Sequence, residues 1–305
     1  MILAFIGDNG YDKELAAQEY IAGFVGVHGT VAVDKFIAED IEATTLSGAV
    51  TTMPFLSPRR MVVVRDYSTN KELVEEFEII AAQVADTTDL VIIENHVDGR
   101  SKYLANLKKI AEVREFSHLD GDALVEWVMT HADQFGVLLT RQDAQYLIDR
   151  VGINQQLLAS ELTKLSLLDT TITRQTIDAL TSPTPQSSIF TMLDAAFSGD
   201  TAQALKLYND QRSQGMEPQA IMGMITWQLH TLTLVKAAGS MAASDIASKA
   251  KLSPFVIRKN QTNAKRLSEH RIIAILEQAI ATDRMLKSTR VNADDAVQSL
   301  ILSFA

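Results

Sequence analysis

A change of periodicity near residue 119 restricts this chain more than any other feature. Over roughly the first 118 residues, short apolar runs of strand character alternate with helical patterns. The strand-like runs are "ILAFIG", "TVAVDKFIA", "MVVVRD", "DLVIIENH" and "VREFSHL". Between them lie "DKELAAQEYIAGFV", "DIEATTLSGAV", "NKELVEEFEIIAAQVA" and "SKYLANLKKIAE". Apolar, β-branched runs of this kind belong to strands buried on both faces, and crossovers of helical length join such strands in parallel. A parallel sheet covered by helices on both sides is therefore expected.

From Asp120 onward the strand signal disappears. "GDALVEWVMTHADQFG", "TRQDAQYLIDRVG", "NQQLLASELTKLSLL" and "TRQTIDALT" space their apolar residues as helices do, with Asp, Thr or Asn as N-caps. "TSPTPQSS", residues 181–188, carries two prolines among hydroxyl residues and reads as a linker. Further helical patterns follow, and Gly215 with Glu217-Pro218 marks a helix stop and restart. Three domains are expected: an α/β domain at 1–119, a small helical domain at 120–183 and an all-α bundle at 184–305. A chain of 305 residues is long enough for more than one core.

Composition narrows the function. A formal net charge of −10 argues against autonomous tight binding of DNA or RNA, though not against contact with nucleic acid inside a larger basic assembly. The absence of cysteine excludes disulfides, Cys-ligated zinc, iron–sulfur clusters and thiol catalysis, and fits a cytoplasmic protein. The six histidines never fall four residues apart, so they read as scattered residues rather than metal ligands. No stretch approaches a bilayer span, and "MILAFIGDNG" lacks a basic lead and a cleavage site, so no membrane association is expected.

Two loops carry the functional question. "FIGDNGYDKE" follows the first strand, where phosphate-binding loops sit in parallel-sheet folds, and Gly7 and Gly10 would permit close approach of a phosphate. A working loop needs Gly-Lys-Ser/Thr, whereas here Asp8 and Asp12 would repel phosphate and Lys13 is followed by Glu14. A tight strand-to-helix turn capped by Asp8 or Asn9 is expected instead. Glu94 at the end of "LVIIENH" reads as a strand-end residue, Asp294 and Asp295 as first-turn helix charges, and Trp127 and Trp227 as core. No nucleophile elbow or zinc-protease motif is present. No catalysis, cofactor or metal is expected, and the chain reads as a binding or mechanical component. The second loop is "TTMPFLSPRRMVVVRD", which puts Met53, Phe55 and Leu56 in a stretch broken by Pro54 and Pro58, beside two arginines. Either these apolar groups fold onto the core or they are displayed for a partner.

Several stretches, in order, resemble the delta subunit of bacterial DNA polymerase III, the clamp-opening subunit of the clamp loader. They are "FIGDNGYDKE"; "PFLSPRRMVVV" against the family's P-L-F-x-x-R-R-L-V-V-V; and Asp98, Arg100, Ser101 and Lys102 against D-x-R-S-K. "DRVGINQQLLASELTKL" matches through Val151, Gly152, Asn154, Leu158, Glu161, Leu162, Lys164 and Leu165. Ile189, Phe190, Leu193, Asp194 and Ala195 match the family's I-F-x-x-L-D-A, and Gly215 with Pro218 its G-x-x-P turn. "LSPFVIRK" at 252–259 and then Asp283, Leu286 and Lys287 complete the series.

The resemblance implies an AAA+-like (RecA-like) α/β domain without ATP binding, a helical lid, and a helical collar that joins a hetero-pentameric ring with the other loader subunits. It also implies binding and opening of the sliding clamp (the beta subunit) during DNA replication, with primed DNA touched only within the assembly. The family's wedge is Leu-Phe; aligned on Arg59, those positions are Phe55 and Leu56, in reversed order, within a clamp-binding stretch of Met53, Pro54, Phe55 and Leu56. A divergent AAA+ ATPase or nucleotide-sensing adaptor is the alternative, and ATP binding by the isolated chain separates the two.

Overall fold

The computed structural model describes residues 1–55, 57–167, 171–288 and 291–305. The chain divides into two compact units, Met1–Leu119 and Asp120–Ala305. The first holds a parallel sheet of five strands: β1 (Ile2–Ile6), β2 (Val33–Ile37), β3 (Arg60–Arg65), β4 (Thr88–Ile93) and β5 (Glu112–Glu115). Their order is β2-β3-β4-β1-β5. The apolar runs occupy the centre, where Leu3–Ile6, Met61–Val64 and Leu90–Ile93 are buried on both faces. The edges fall to the strands that carry charge: Asp34 and Lys35 on β2, and Glu112, Arg114 and Glu115 on β5. Charged side chains on edge strands discourage pairing with other chains.

Alternation along each strand sorts the core into two layers. Leu3, Phe5, Met61, Val63, Val91 and Ile93 pack with Ala17 and Ile21 of α1 (Gly10–His28). On the other face Ala4, Ile6, Val62, Val64, Leu90 and Ile92 meet α2 (Ala43–Thr51), α3 (Lys71–Gln83) and α4 (Lys102–Ile110).

The second unit begins with α5 (Gly121–Gln134), α6 (Arg141–Val151), α7 (Gln155–Ser166) and α8 (Arg174–Leu180). It also contains a short parallel pair, β6 (Leu138–Leu139) with β7 (Thr171–Ile172), in a region expected to have no strands. Two residues are too few for a period-2 pattern to register. Then come α9 (Pro185–Phe197), α10 (Thr201–Ser213), α11 (Pro218–Ala238), α12 (Ala243–Ala250), α13 (Pro254–Arg266), α14 (Glu269–Ser288) and α15 (Ala293–Ser303). The stretch read as a linker through residue 188 is shorter than expected, because Thr184 caps α9 and Pro185 opens it. Proline suits the first helical position, where its missing N–H costs no hydrogen bond.

The expected boundary at 183/184 falls inside this unit. Helices α9 to α15 nevertheless share one apolar core, built around Ile189, Tyr208, Ile225, Leu229, Ile275 and Phe304. Asp294, expected as a helix-start charge, also fastens α15 to α10: Tyr208 Oη and Arg212 Nε each donate to its Oδ1 at 2.7 Å. Those donors hold its carboxyl below the usual aspartate range. Among the described residues no helix is long and apolar enough to cross a membrane.

Candidate functional site

The loop between α2 and β3 is held firmly at both ends. Upstream, the buried Leu46 and Val50 seat α2, and both the backbone N–H and the hydroxyl of Thr52 donate to Gly48 O. Downstream, the two arginines are anchors. Arg59 donates to the nearly buried Asp89 carboxylate at 2.6 Å, and Arg60 Nε donates to Asp34 Oδ2 at 2.6 Å. The Asp89 carboxylate raises the pKa of Arg59 further. Arg60 N–H also bonds Thr87 O, so β3 starts from a fixed point. Sequence could not pair these arginines with their acids, because the partners lie 26 and 30 residues away.

Between those anchors Met53 and Phe55 turn outward. Phe55 is 96% exposed and Met53 78%, while Pro54 is half-buried. Leu56 lies outside the described residues. Of the expected clamp-binding stretch, then, Met53 and Phe55 stand in solvent on either side of Pro54. An exposed phenyl ring forfeits about 1.5–3 kcal/mol of burial that a partner's pocket would restore.

The loop after β1 has a different character. Gly7 sits at φ +116°, and a Cβ there would lie 2.1 Å from Phe116 O, so only glycine fits. Asn9 caps α1 by accepting from Asp12 N–H, and Asp8 Oδ1 accepts from His118 N–H at 2.8 Å. Lys13 is only 2% exposed. Its Nζ donates to Gly7 O at 2.8 Å and Glu94 O at 2.6 Å, tying α1 to the ends of β1 and β4. Burial lowers its pKa, against the pull of Asp66, Glu94, Glu14 and Asp8. The ammonium that a phosphate would need is bonded inside the protein.

Glu94 is more than a strand-end residue. It is fully buried and accepts from Ser68 N–H, the Ser68 hydroxyl and Tyr103 Oη, at 2.8–2.9 Å. Burial nonetheless pushes its carboxyl up, outweighing those three donors. Tyr103 stacks on Tyr67 at 5.4 Å, and burial beside Glu94 drives its hydroxyl pKa up as well. The network is a packed polar core: Glu94, Tyr67 and Tyr103 are all buried. Trp127 is half-buried and stacks on His131 at 4.9 Å. Trp227, expected as core, is 37% exposed and walls a cavity of about 340 Å³ with Ile189, Met224 and Gln228. It sits two residues past the buried Ile225, about 200° around the helix from the apolar stripe.

Two family models match the chain. One, described as "DNA polymerase III, delta subunit", covers residues 32–117; the other, "DNA polymerase III delta subunit, C-terminal domain", covers 186–304. The chain is 24% identical over 268 residues to the DNA polymerase III subunit delta of Bacillus subtilis, an alignment covering 82% of this chain and 77% of that one. The solved structure of the Bacillus subtilis DNA clamp loader delta protein superposes with a TM-score of 0.74 at 21% identity, over 99% of this chain and 94% of that one. That likeness shows a shared fold.

Proposed function

The chain belongs to the DNA polymerase III delta-subunit family, and we propose that it binds a ring-shaped sliding clamp through residues 53–56 and opens it for loading onto primed DNA. The observation that carries this reading is the 96% exposure of Phe55 on a loop fastened at both ends. A fastened loop loses little entropy on docking, so more of the binding energy of Met53, Phe55 and Leu56 remains available. A wedge of this kind holds a ring open only by binding the open form more tightly than the closed one.

The chain itself contributes binding rather than hydrolysis. Lys13 is committed to two backbone carbonyls, which supports a first unit that takes no nucleotide. Helices α9 to α15 form the collar that joins the other loader subunits in a hetero-pentamer, and the assembly works in the cytoplasm. Passing purified sliding clamp over the immobilised chain tests the reading. Saturable capture is expected; a clamp that elutes unretained would contradict it.

A further inference from the structure

Between Lys249 and Arg266 the chain carries six lysines and arginines and no aspartate or glutamate, although its net charge is −10. The segment comprises the end of α12, a turn through Lys251 in the left-handed conformation at φ 54°, and all of α13. Two of the six cations have structural work. Lys259 Nζ lies 3.4 Å from Asp149 Oδ1 and 4.9 Å from the centre of the Phe255 ring, and Arg258 lies 3.5 Å from Asp120. The other four, Lys249, Lys251, Lys265 and Arg266, are exposed and within ion-pair distance of no carboxylate among the described residues. Like charges held on one short segment repel one another; Asp194 lies close enough to feel the charge of Arg266, and no ion pair offsets the other three among the described residues.

The neutral groups around them say what kind of partner would. Ser248 and Thr262 are exposed and Gln261 is half-buried, so hydroxyl and amide groups lie among the cations. Among the described residues no large apolar side chain is exposed between Trp227 and Ile273. Protein interfaces need an apolar or aromatic centre, whereas phosphate-contacting surfaces combine Lys and Arg with hydroxyls and amides. Thr262, Lys265 and Arg266, all exposed, fall on one face of α13 at i, i+3 and i+4. A helix of 13 residues is about 20 Å long, which spans about six phosphates at the ~3.4 Å rise of one duplex strand and fewer on an extended single strand.

We infer that the α12–α13 turn and the outer face of α13 form a contact surface for a nucleic-acid phosphate backbone, read through charge and without base recognition. The surface requires no clamp and belongs to the second unit, whereas the loop at residues 53–56 belongs to the first. The acidic remainder of the chain opposes such binding, so the isolated protein engages DNA only at low salt.

Fluorescence anisotropy of a labelled 20-nucleotide single strand with the full-length chain, from about 20 mM salt upward, tests this. The triple variant Lys251→Gln/Lys265→Gln/Arg266→Gln is compared with Lys71→Gln/Lys102→Gln/Lys109→Gln. The second set lies in the first unit and changes net charge by the same amount. Glutamine keeps helix propensity, so circular dichroism should be unchanged in both. Expected is binding by the unaltered chain at low salt, lost at least tenfold in the α13 set and largely retained in the control set. The slope of log affinity against log salt should become shallower by about 2, for three contacts at ~0.7 each. Equal loss in both sets, an unchanged slope, or no binding at the lowest salt would overturn the inference. So would capture of poly-glutamate in place of the oligonucleotide, which would assign the face to an acidic protein.

Discussion

Replacing Lys13 by methionine keeps an unbranched side chain and removes its charge. Two hydrogen bonds from a charged donor disappear, at 2.8 Å to Gly7 O and 2.6 Å to Glu94 O. At about 1.5–3 kcal/mol each, the gross loss is about 3–6 kcal/mol. Against it stands the desolvation that lowers the lysine's pKa, a penalty methionine does not incur. The expected net loss is about 2–4 kcal/mol, confined to the unit Met1–Leu119, and for a unit of this size it moves a urea midpoint by about 1–3 M. Both tryptophans, Trp127 and Trp227, lie in the second unit, so their fluorescence follows that unit alone while far-UV circular dichroism follows both. The dichroism transition of the first unit should move to lower urea, with the fluorescence transition unmoved. The pH dependence gives an independent check. Between the lowered folded pKa and the ordinary value of 10.5 the unfolded chain binds more protons, so stability rises with pH, and the variant should lose that rise. An unchanged or higher midpoint would refute the role of the ammonium as a strut between β1, β4 and α1.

Glu94→Gln should flatten the acid side of the same unit's profile. Burial raises the Glu94 carboxyl, so its stabilising contribution is full below the ordinary value of 4.5 and is lost as pH rises through the higher folded value; melting curves at stepped pH read this directly. Purified chain should show no ATP turnover, because the Lys13 nitrogen is engaged by carbonyls, and steady hydrolysis abolished by changing Lys13 would overturn that. A fragment of residues 1–119 should be captured by the clamp yet fail to co-purify with the other loader subunits, while 120–305 should do the reverse. Assembly of the first fragment with the loader would move the oligomer contacts out of the collar.

The sheet was legible because β1, β3 and β4 are buried on both faces and therefore read as unbroken apolar runs such as Met61–Val64. Helix starts were legible where a cap stood in sequence, as at Thr140 and Asn154. The start of α9 was misplaced because the prolines and hydroxyl residues that mark a linker also make a helix cap. Interactions across long separations were not legible. Lys13 meets Glu94 81 residues away and Tyr208 meets Asp294 86 residues away, and no local pattern announces either. Of the proposed clamp-binding loop, sequence supplied the two prolines and the apolar side chains. The choice between a folded-in and an outward loop needed the structure, because it depends on Asp34 and Asp89 holding the arginines. The basic run at 249–266 was visible in sequence and was masked by the chain's overall negative charge.

Clamp affinity and thermal stability of the double variant Phe55→Ala/Leu56→Ala, measured on the same preparation, test the central claim most directly. Buried anchors of this type are worth about 2–4 kcal/mol each on truncation, so clamp binding should weaken on the order of a hundredfold or more. Surface plasmon resonance should show the change mainly as faster dissociation. Phe55 is 96% exposed in the free chain, so the melting temperature should barely move. Normal clamp binding together with a much earlier melt would mean that these side chains serve the fold, and the wedge would have to be sought elsewhere.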